Sequence, residues 1–162
     1  MKIITQRLVI RPLAVEDRQS MQRILTDFEN SDVYMYDYKA PTDIETIRTL
    51  IPFWVKSRRY YTVCIQATGK TAGFLSMDGD ELGFTMKTSC KRKGYGYEAA
   101  SALIEYLNRK KKMYCFTAQA ALENTPSVKL LKKLGFVMES TGYIQFRENM
   151  QPVECGNFIL YL

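Results

Sequence analysis

Apolar side chains at Met21, Ile24, Leu25 and Phe28 recur at i, i+3, i+4 and i+7, the spacing that lines one face of a helix. Ahead of them Gln6-Arg7-Leu8-Val9-Ile10-Arg11 reads as a strand, ended by Pro12, which has no N–H to extend a ladder. The chain thus opens strand, then helix. From Asp27 to Pro41 it turns polar and aromatic, with Tyr34, Tyr36 and Tyr38 at alternate positions, a pattern that fits either a pocket wall or a half-buried edge strand. Thr42 and Glu45 form a capping-box pattern for a second helix, which Pro52 is expected to kink or split.

Tyr60 to Gln66, Thr71 to Met77 and Glu81 to Met86 are strand-like, and Ala67-Thr68-Gly69-Lys70 and Asp78-Gly79-Asp80 supply the turns between them. An antiparallel meander follows. Helical spacing returns at Ala100, Leu103, Ile104 and Leu107, predicting a helix from close to Tyr97 to around Arg109. Met113 to Ala120 reads as the next strand. Thr125 as N-cap, Pro126 at the first helical position, Leu130, Leu131 and Leu134, and Gly135 as the stop define a last helix. Phe136 onward returns to strands, with Tyr143 to Arg147 and Asn157 to Tyr161 as a final antiparallel pair.

With 162 residues, 46% of them hydrophobic, the chain can bury one sizeable core, and residues 1–162 are expected to form a single domain. The N-terminus carries charge where a signal peptide is apolar, and no segment approaches a membrane span, so a soluble, cytoplasmic protein without a membrane partner is expected. Cys64, Cys90, Cys115 and Cys155 are scattered, which fits free, packing thiols in a reducing compartment. The absence of histidine narrows the chemistry most. It removes the usual general base, the usual metal ligand and the activator of Ser and Cys nucleophiles, so proton transfer falls to Asp, Glu, Tyr, Lys, Cys or water, and no metal site is expected.

The net charge of +6 gathers in Lys91-Arg92-Lys93, Arg109-Lys110-Lys111-Lys112, and Lys129 with Lys132-Lys133. The second and third runs are explained by solvated cations near helix ends, where the macrodipole favours them. They lie on separate elements without a recognition motif, so nucleic acid is not the expected partner. The first run precedes Gly94-Tyr95-Gly96, between a predicted strand and a predicted helix. Backbone N–H groups there can converge on an anion at the positive helix end, glycine admits close approach, and the three cations add the charge a pyrophosphate needs. A plain structural turn with solvated lysines would carry the same residues.

Lys91-Arg92-Lys93-Gly94-Tyr95-Gly96 resembles the cofactor turn of the GCN5-related N-acetyltransferase (GNAT) superfamily, which reads Arg or Gln, two residues, Gly, one residue, Gly or Ala. Lys91 stands at the first position and keeps the charge without the planar fork. Thr5-Gln6-Arg7-Leu8-Val9-Ile10-Arg11-Pro12-Leu13, Glu81-Leu82-Gly83-Phe84, Tyr97-Glu98-Ala99-Ala100, Asn124-Thr125-Pro126-Ser127 and Lys132-Lys133-Leu134-Gly135-Phe136 resemble, in order, the ribosomal-protein (RimJ/RimL-like) branch. The likeness spans nearly the whole chain.

The resemblance implies an α/β (α+β) fold, with a mixed, mostly antiparallel sheet of about seven strands flanked by about four helices, the cofactor helix and the last helix on opposite or adjacent faces. It implies acetyl-CoA as co-substrate and direct transfer from the thioester to a primary amine: a protein N-terminus, a polyamine or a small amine. Backbone at Phe84 and Met86 would pair with pantetheine, and the Met86 N–H would polarise the thioester carbonyl. The amides of Arg92, Lys93, Gly94, Tyr95, Gly96 and Tyr97, beside Lys91, would bind pyrophosphate. Glu81 takes the family's acidic position as base, acting directly or through water, with Asp80 as its neighbour. Ser127 would contact the cofactor sulfur and Asn124 the pantetheine. Where many members carry a tyrosine acid this chain has Leu131. Tyr34 and Tyr36 fall on the acceptor side. The departures at Lys91 and Leu131 leave a catalytically weak acyl-CoA-binding module as the alternative, and a homodimer stays open.

Overall fold

The computed structural model describes residues 1–162. Strands β1 (Ile3–Ile4) and β2 (Leu8–Pro12) precede α1 (Arg18–Glu29) and α2 (Ile44–Ser57). The meander β3 (Tyr60–Ile65), β4 (Thr71–Asp78) and β5 (Glu81–Met86) leads to α3 (Tyr95–Lys111), β6 (Cys115–Ala121), α4 (Thr125–Lys133), β7 (Val137–Ile144) and β8 (Val153–Tyr161). One sheet of eight strands runs β1-β2-β3-β4-β5-β6-β8-β7, and every pairing is antiparallel except β5 with β6. The count exceeds the expected one by the two-residue β1, and the four helices match. No helix is long and apolar enough to cross a membrane.

The helices divide between the two faces because two stripes of apolar side chains need cover. Ala99, Ala100, Leu103, Ile104 and Leu107 of α3 and Leu131 of α4 join Leu8, Leu75, Phe116 and Phe158 of the sheet in the larger core. The expected cofactor helix, α3, and the last helix, α4, therefore lie side by side on one face. Met21, Ile24 and Leu25 of α1 meet Ile47 and Ile51 of α2 in a second cluster, closed by Trp54, Tyr60 and Phe74.

Helix ends differ from expectation in instructive ways. Asp43, not Thr42, caps α2: its carboxylate accepts the Thr46 N–H at 2.8 Å, a shorter and charged version of the same device. The helix runs unbroken past Pro52, which is exposed, so water can serve the carbonyl that lost its donor while Ile47 and Ile51 anchor both sides. Asn124 rather than Thr125 is the N-cap of α4, α3 begins two residues early at Tyr95, and the terminal pair is Val137–Ile144 with Val153–Tyr161. Gln145 to Arg147 lies beyond that pair, in the loop that closes it.

The turn from β2 into α1 is fixed by an ion pair. Arg11 Nη1 and Nη2 donate to both oxygens of Asp17 at 2.7 Å, and the Ala14 N–H donates to Asp17 Oδ2 at 2.9 Å. Burial works to raise the Asp17 pKa, but the Arg11 guanidinium and the Ala14 N–H outweigh it and hold the carboxyl below its ordinary value. A depressed folded-state pKa stabilises above the unfolded value and loses that contribution as pH falls through the folded one. Asp17→Asn is expected to cost about 2 kcal/mol at neutral pH in urea unfolding, less than a fully buried pair because Arg11 keeps 35% of its side chain in water. The gap between variant and parent should narrow below about pH 4.

Candidate active site

Strands β5 and β6 start together and then part. Their register holds one pair, Glu81 with Thr117, joined where the Thr117 N–H donates to Asp80 O at 2.9 Å. Beyond it β5 stays with β4 as far as Met86 opposite Gly73, while β6 stays with β8 as far as Ala121 opposite Cys155. The Lys87 N–H donates to Ala72 O at 2.9 Å. Successive residues of an antiparallel strand turn their polar groups to opposite sides, so Gly83 and Thr85 face β4 with Lys87, and Phe84 and Met86 present theirs to the opening. Gly73 permits the bend: a Cβ there would lie 2.1 Å from Thr85 O and 2.9 Å from Met86 Cα.

The turn after β5 is built around left-handed residues. A short 3-10 turn, Thr88–Cys90, leads to Arg92 at φ 61° and Gly94 at φ 79°, and Gly94 is the N-cap of α3. Lys91 N–H is bound to Thr88 O at 3.2 Å and Glu98 N–H to Gly94 O at 3.0 Å, but every N–H from Arg92 to Tyr97 lacks an acceptor within the chain. These donors point from the positive end of a helix of 17 residues, with Lys91, Arg92 and Lys93 beside them. At Gly96 a Cβ would stand 3.3 Å from Leu130 Cδ2 and 3.8 Å from Met86 Cγ, so the turn, the end of β5 and α4 converge.

Residues from the far end of the chain brace this turn. Arg7 Nε donates to Glu98 Oε2 at 2.7 Å, Arg7 N–H to Glu98 Oε1 at 2.9 Å, and Arg7 Nη1 to Lys93 O at 2.8 Å, while the guanidinium lies 4.8 Å from the centre of the Tyr95 ring. Thr5 Oγ1 donates to the same carboxylate at 2.6 Å. Burial would raise the Glu98 pKa, yet Thr5 and Arg7 together hold it below the ordinary value.

The remaining candidate residues fall at three places. Asn124 and Ser127, half-buried at the start of α4, have side chains that make no hydrogen bond within the chain, whereas Leu131 is fully buried in the core. Lys133 Nζ sits 4.4 Å above the Tyr97 ring, and Lys129 and Lys132 are exposed. Tyr34–Tyr36 forms a 3-10 turn, so the edge strand open to this segment from its sequence is not formed. Tyr36 Oη donates to Glu123 Oε2 at 3.4 Å, beside Asn124. Partial burial and the nearby Glu123 and Asp32 carboxylates push the Tyr36 pKa up. Glu81 stands exposed at the closed end of the opening, five residues from Met86, or about 16 Å along the strand.

Residues 7–137 match the acetyltransferase (GNAT) domain family. The chain is a member of the GNAT family. It is accordingly an acyltransferase enzyme, and the matched residues take in both the opened sheet and the donor-rich turn. The uncharacterized N-acetyltransferase YnaD of Bacillus subtilis (strain 168) is 28% identical over 149 residues, covering 86% of this chain and 84% of YnaD. The solved RimL ribosomal L7/L12 alpha-N-protein acetyltransferase, in complex with coenzyme A, shares the fold at TM-score 0.83 and 12% identity, covering 100% of this chain and 98% of that one. Spermidine N-acetyltransferase from Vibrio cholerae, in complex with CoA and spermine, does so at TM-score 0.80 and 14% identity, over 97% of this chain and 96% of that one.

Arg7 and Glu98 were visible in the sequence only as pieces of two motifs with no stated role, because the contact joins positions 91 apart. Glu98→Ala leaves Arg7 facing the basic run without its counter-charge. It is expected to destabilise the fold by about 1–2 kcal/mol in thermal unfolding, a modest figure because Arg7 is partly exposed, and to speed hydrogen exchange in the first hydrogen-bonded turn of α3, residues 99–101.

Proposed function

We propose that this enzyme moves an acetyl group from acetyl-CoA directly to a primary amine, with the donor lying in the opening between β5 and β6 and its pyrophosphate on the amides of Arg92 to Tyr97. The unpaired run of N–H groups carries this reading. Backbone donors left without partners at a helix N-terminus, on a left-handed turn flanked by cations, suit a diphosphate. The backbone of Phe84 and Met86 suits an extended amide-bearing chain such as pantetheine, which would add to β5 as a strand does.

In the reaction the amine nitrogen bonds to the thioester carbonyl carbon, the C–S bond breaks, and the proton shed by nitrogen balances the one taken up by the departing thiolate. In this reading the Met86 N–H steadies the carbonyl oxygen as charge develops on it. Ser127 is the hydroxyl assigned to the leaving sulfur. Glu81, at the closed end of the opening, takes the role of the base in this reading, reached through water because it lies far along the strand from Met86. Tyr34 and Tyr36 line the acceptor entrance. A protein N-terminus, a polyamine and a small amine all remain within this class of acceptor, and the first two are what the RimL and spermidine enzymes are named for.

Titration calorimetry with acetyl-CoA is the first test. The parent should bind at micromolar level and Gly94→Trp should not, because a bulky side chain at φ 79° would fill the turn and press on Arg7, whose Nη2 would lie 3.2 Å from a Cβ at that position. Binding retained in the variant would remove the pyrophosphate from this turn. Ser127→Ala should then lower kcat about ten- to a hundredfold with acetyl-CoA affinity little changed. Tight binding without turnover on any amine would favour an acyl-CoA-binding module of the same fold, the reading to which the buried Leu131 lends support.

A further inference from the structure

We propose that Arg147 is the positioning residue of the acceptor side: from the loop between β7 and β8 it fixes the backbone of residues 34–38, and so sets acceptor binding without affecting the acetyl donor. The proposal rests on the acceptor entrance assigned above to Tyr34 and Tyr36.

One guanidinium holds this segment from several directions. Arg147 Nη1 and Nη2 donate to the two oxygens of Glu29 on α1 at 3.0 and 2.9 Å, across 118 positions of sequence. Nη2 also donates to Tyr34 O at 2.6 Å and Nε to Asp37 O at 2.9 Å, and the guanidinium carbon lies 5.4 Å from the centre of the Tyr34 ring. Glu29 Oε1 accepts the Ala40 N–H at 2.9 Å as well, so the same ion pair closes the far end of the segment. Both partners are largely withdrawn from water, at 12% and 16% side-chain exposure. Burial would raise the Glu29 pKa, but Arg147 and the Ala40 N–H hold it below the ordinary carboxylate value.

The segment has little of its own to keep it in place. Its regular structure is one 3-10 turn, closed by the Tyr36 N–H on Val33 O at 3.0 Å. Yet it is placed where an acceptor must pass. Tyr36 reaches Glu123 at the end of β6, and at the end of β5 the Thr88 N–H and hydroxyl donate to Asp27 of α1 at 2.7 and 3.0 Å. Residues 34–38 therefore meet the open end of the β5–β6 divergence on its β6 side, through Tyr36 and Glu123, and are held from behind by Arg147. A lysine at position 147 would keep the charge but lose the fork that serves Glu29 and two carbonyls together.

Arg147→Lys in the full chain tests this, with spermidine and a hexapeptide bearing a free N-terminal serine as acceptor probes. The expected result is a rise of about tenfold or more in acceptor KM, kcat within about threefold of the parent, and an unchanged Kd for acetyl-CoA by calorimetry. Hydrogen exchange should quicken at residues 34–40 and stay as in the parent at the hydrogen-bonded amides 99–107 of α3. Faster exchange at 34–40 with acceptor KM unmoved would overturn the link to the acceptor. Unchanged exchange there, or equally faster exchange along α3, would overturn the positioning role itself. If the parent binds acetyl-CoA but acetylates neither probe, the failure lies with the acceptor reading above, and the exchange measurement alone decides whether Arg147 holds the segment.

Discussion

The parting of β5 from β6 is the constraint around which the rest of this molecule is arranged. A sheet normally uses every inner N–H and C=O, and leaving some of them open in its middle is costly unless water or a ligand takes them up. The chain compensates by making each half self-sufficient. The strands from β1 to β5 form one antiparallel ladder and β6 to β8 another, with the Glu81–Thr117 pair as the bridge between them. Gly73 is required by the same constraint, because only a residue without a Cβ lets the end of β5 draw so close to β4.

The opening also decides where charge belongs. The helix that crosses from β5 to β6 must begin at the open end, so its unpaired amides and the Lys91-Arg92-Lys93 run are delivered to the mouth of the divergence by the topology itself. A left-handed turn at the start of a helix is easily frayed, and the Arg7–Glu98 contact supplies the rigidity that Arg92, at φ 61°, lacks. The opposite wall is held by Arg147 and Glu29 in the same manner. In both places a guanidinium uses its planar fork to tie a carboxylate and a backbone carbonyl into one unit.

What the sequence discloses and what it hides divide by the distance over which the signal acts. The apolar spacing of α1 and α3, the meander and the glycine turn follow from neighbouring residues, and all are formed close to where that spacing puts them. The caps slip by one position at Asp43 and Asn124 because several polar residues compete there and backbone geometry selects among them. Pro52 fails to break α2 because burial of Ile47 and Ile51 outweighs one missing hydrogen bond. Arg7 with Glu98, and Arg147 with Glu29, leave no local trace. Their partners are chosen by the fold, and no periodicity in the chain announces them.

An unpaired strand in the middle of a sheet is an edge that cannot be reached from the side. Exposed edges invite other chains to add on, the first step toward aggregation. Here β6 still lies alongside, α3 and α4 roof one face, and Tyr36 reaches Glu123 at the open end. A second polypeptide strand with side chains alternating to both faces is therefore a poor fit. The cover that encloses the opening is also the protein's protection against pairing with its own kind.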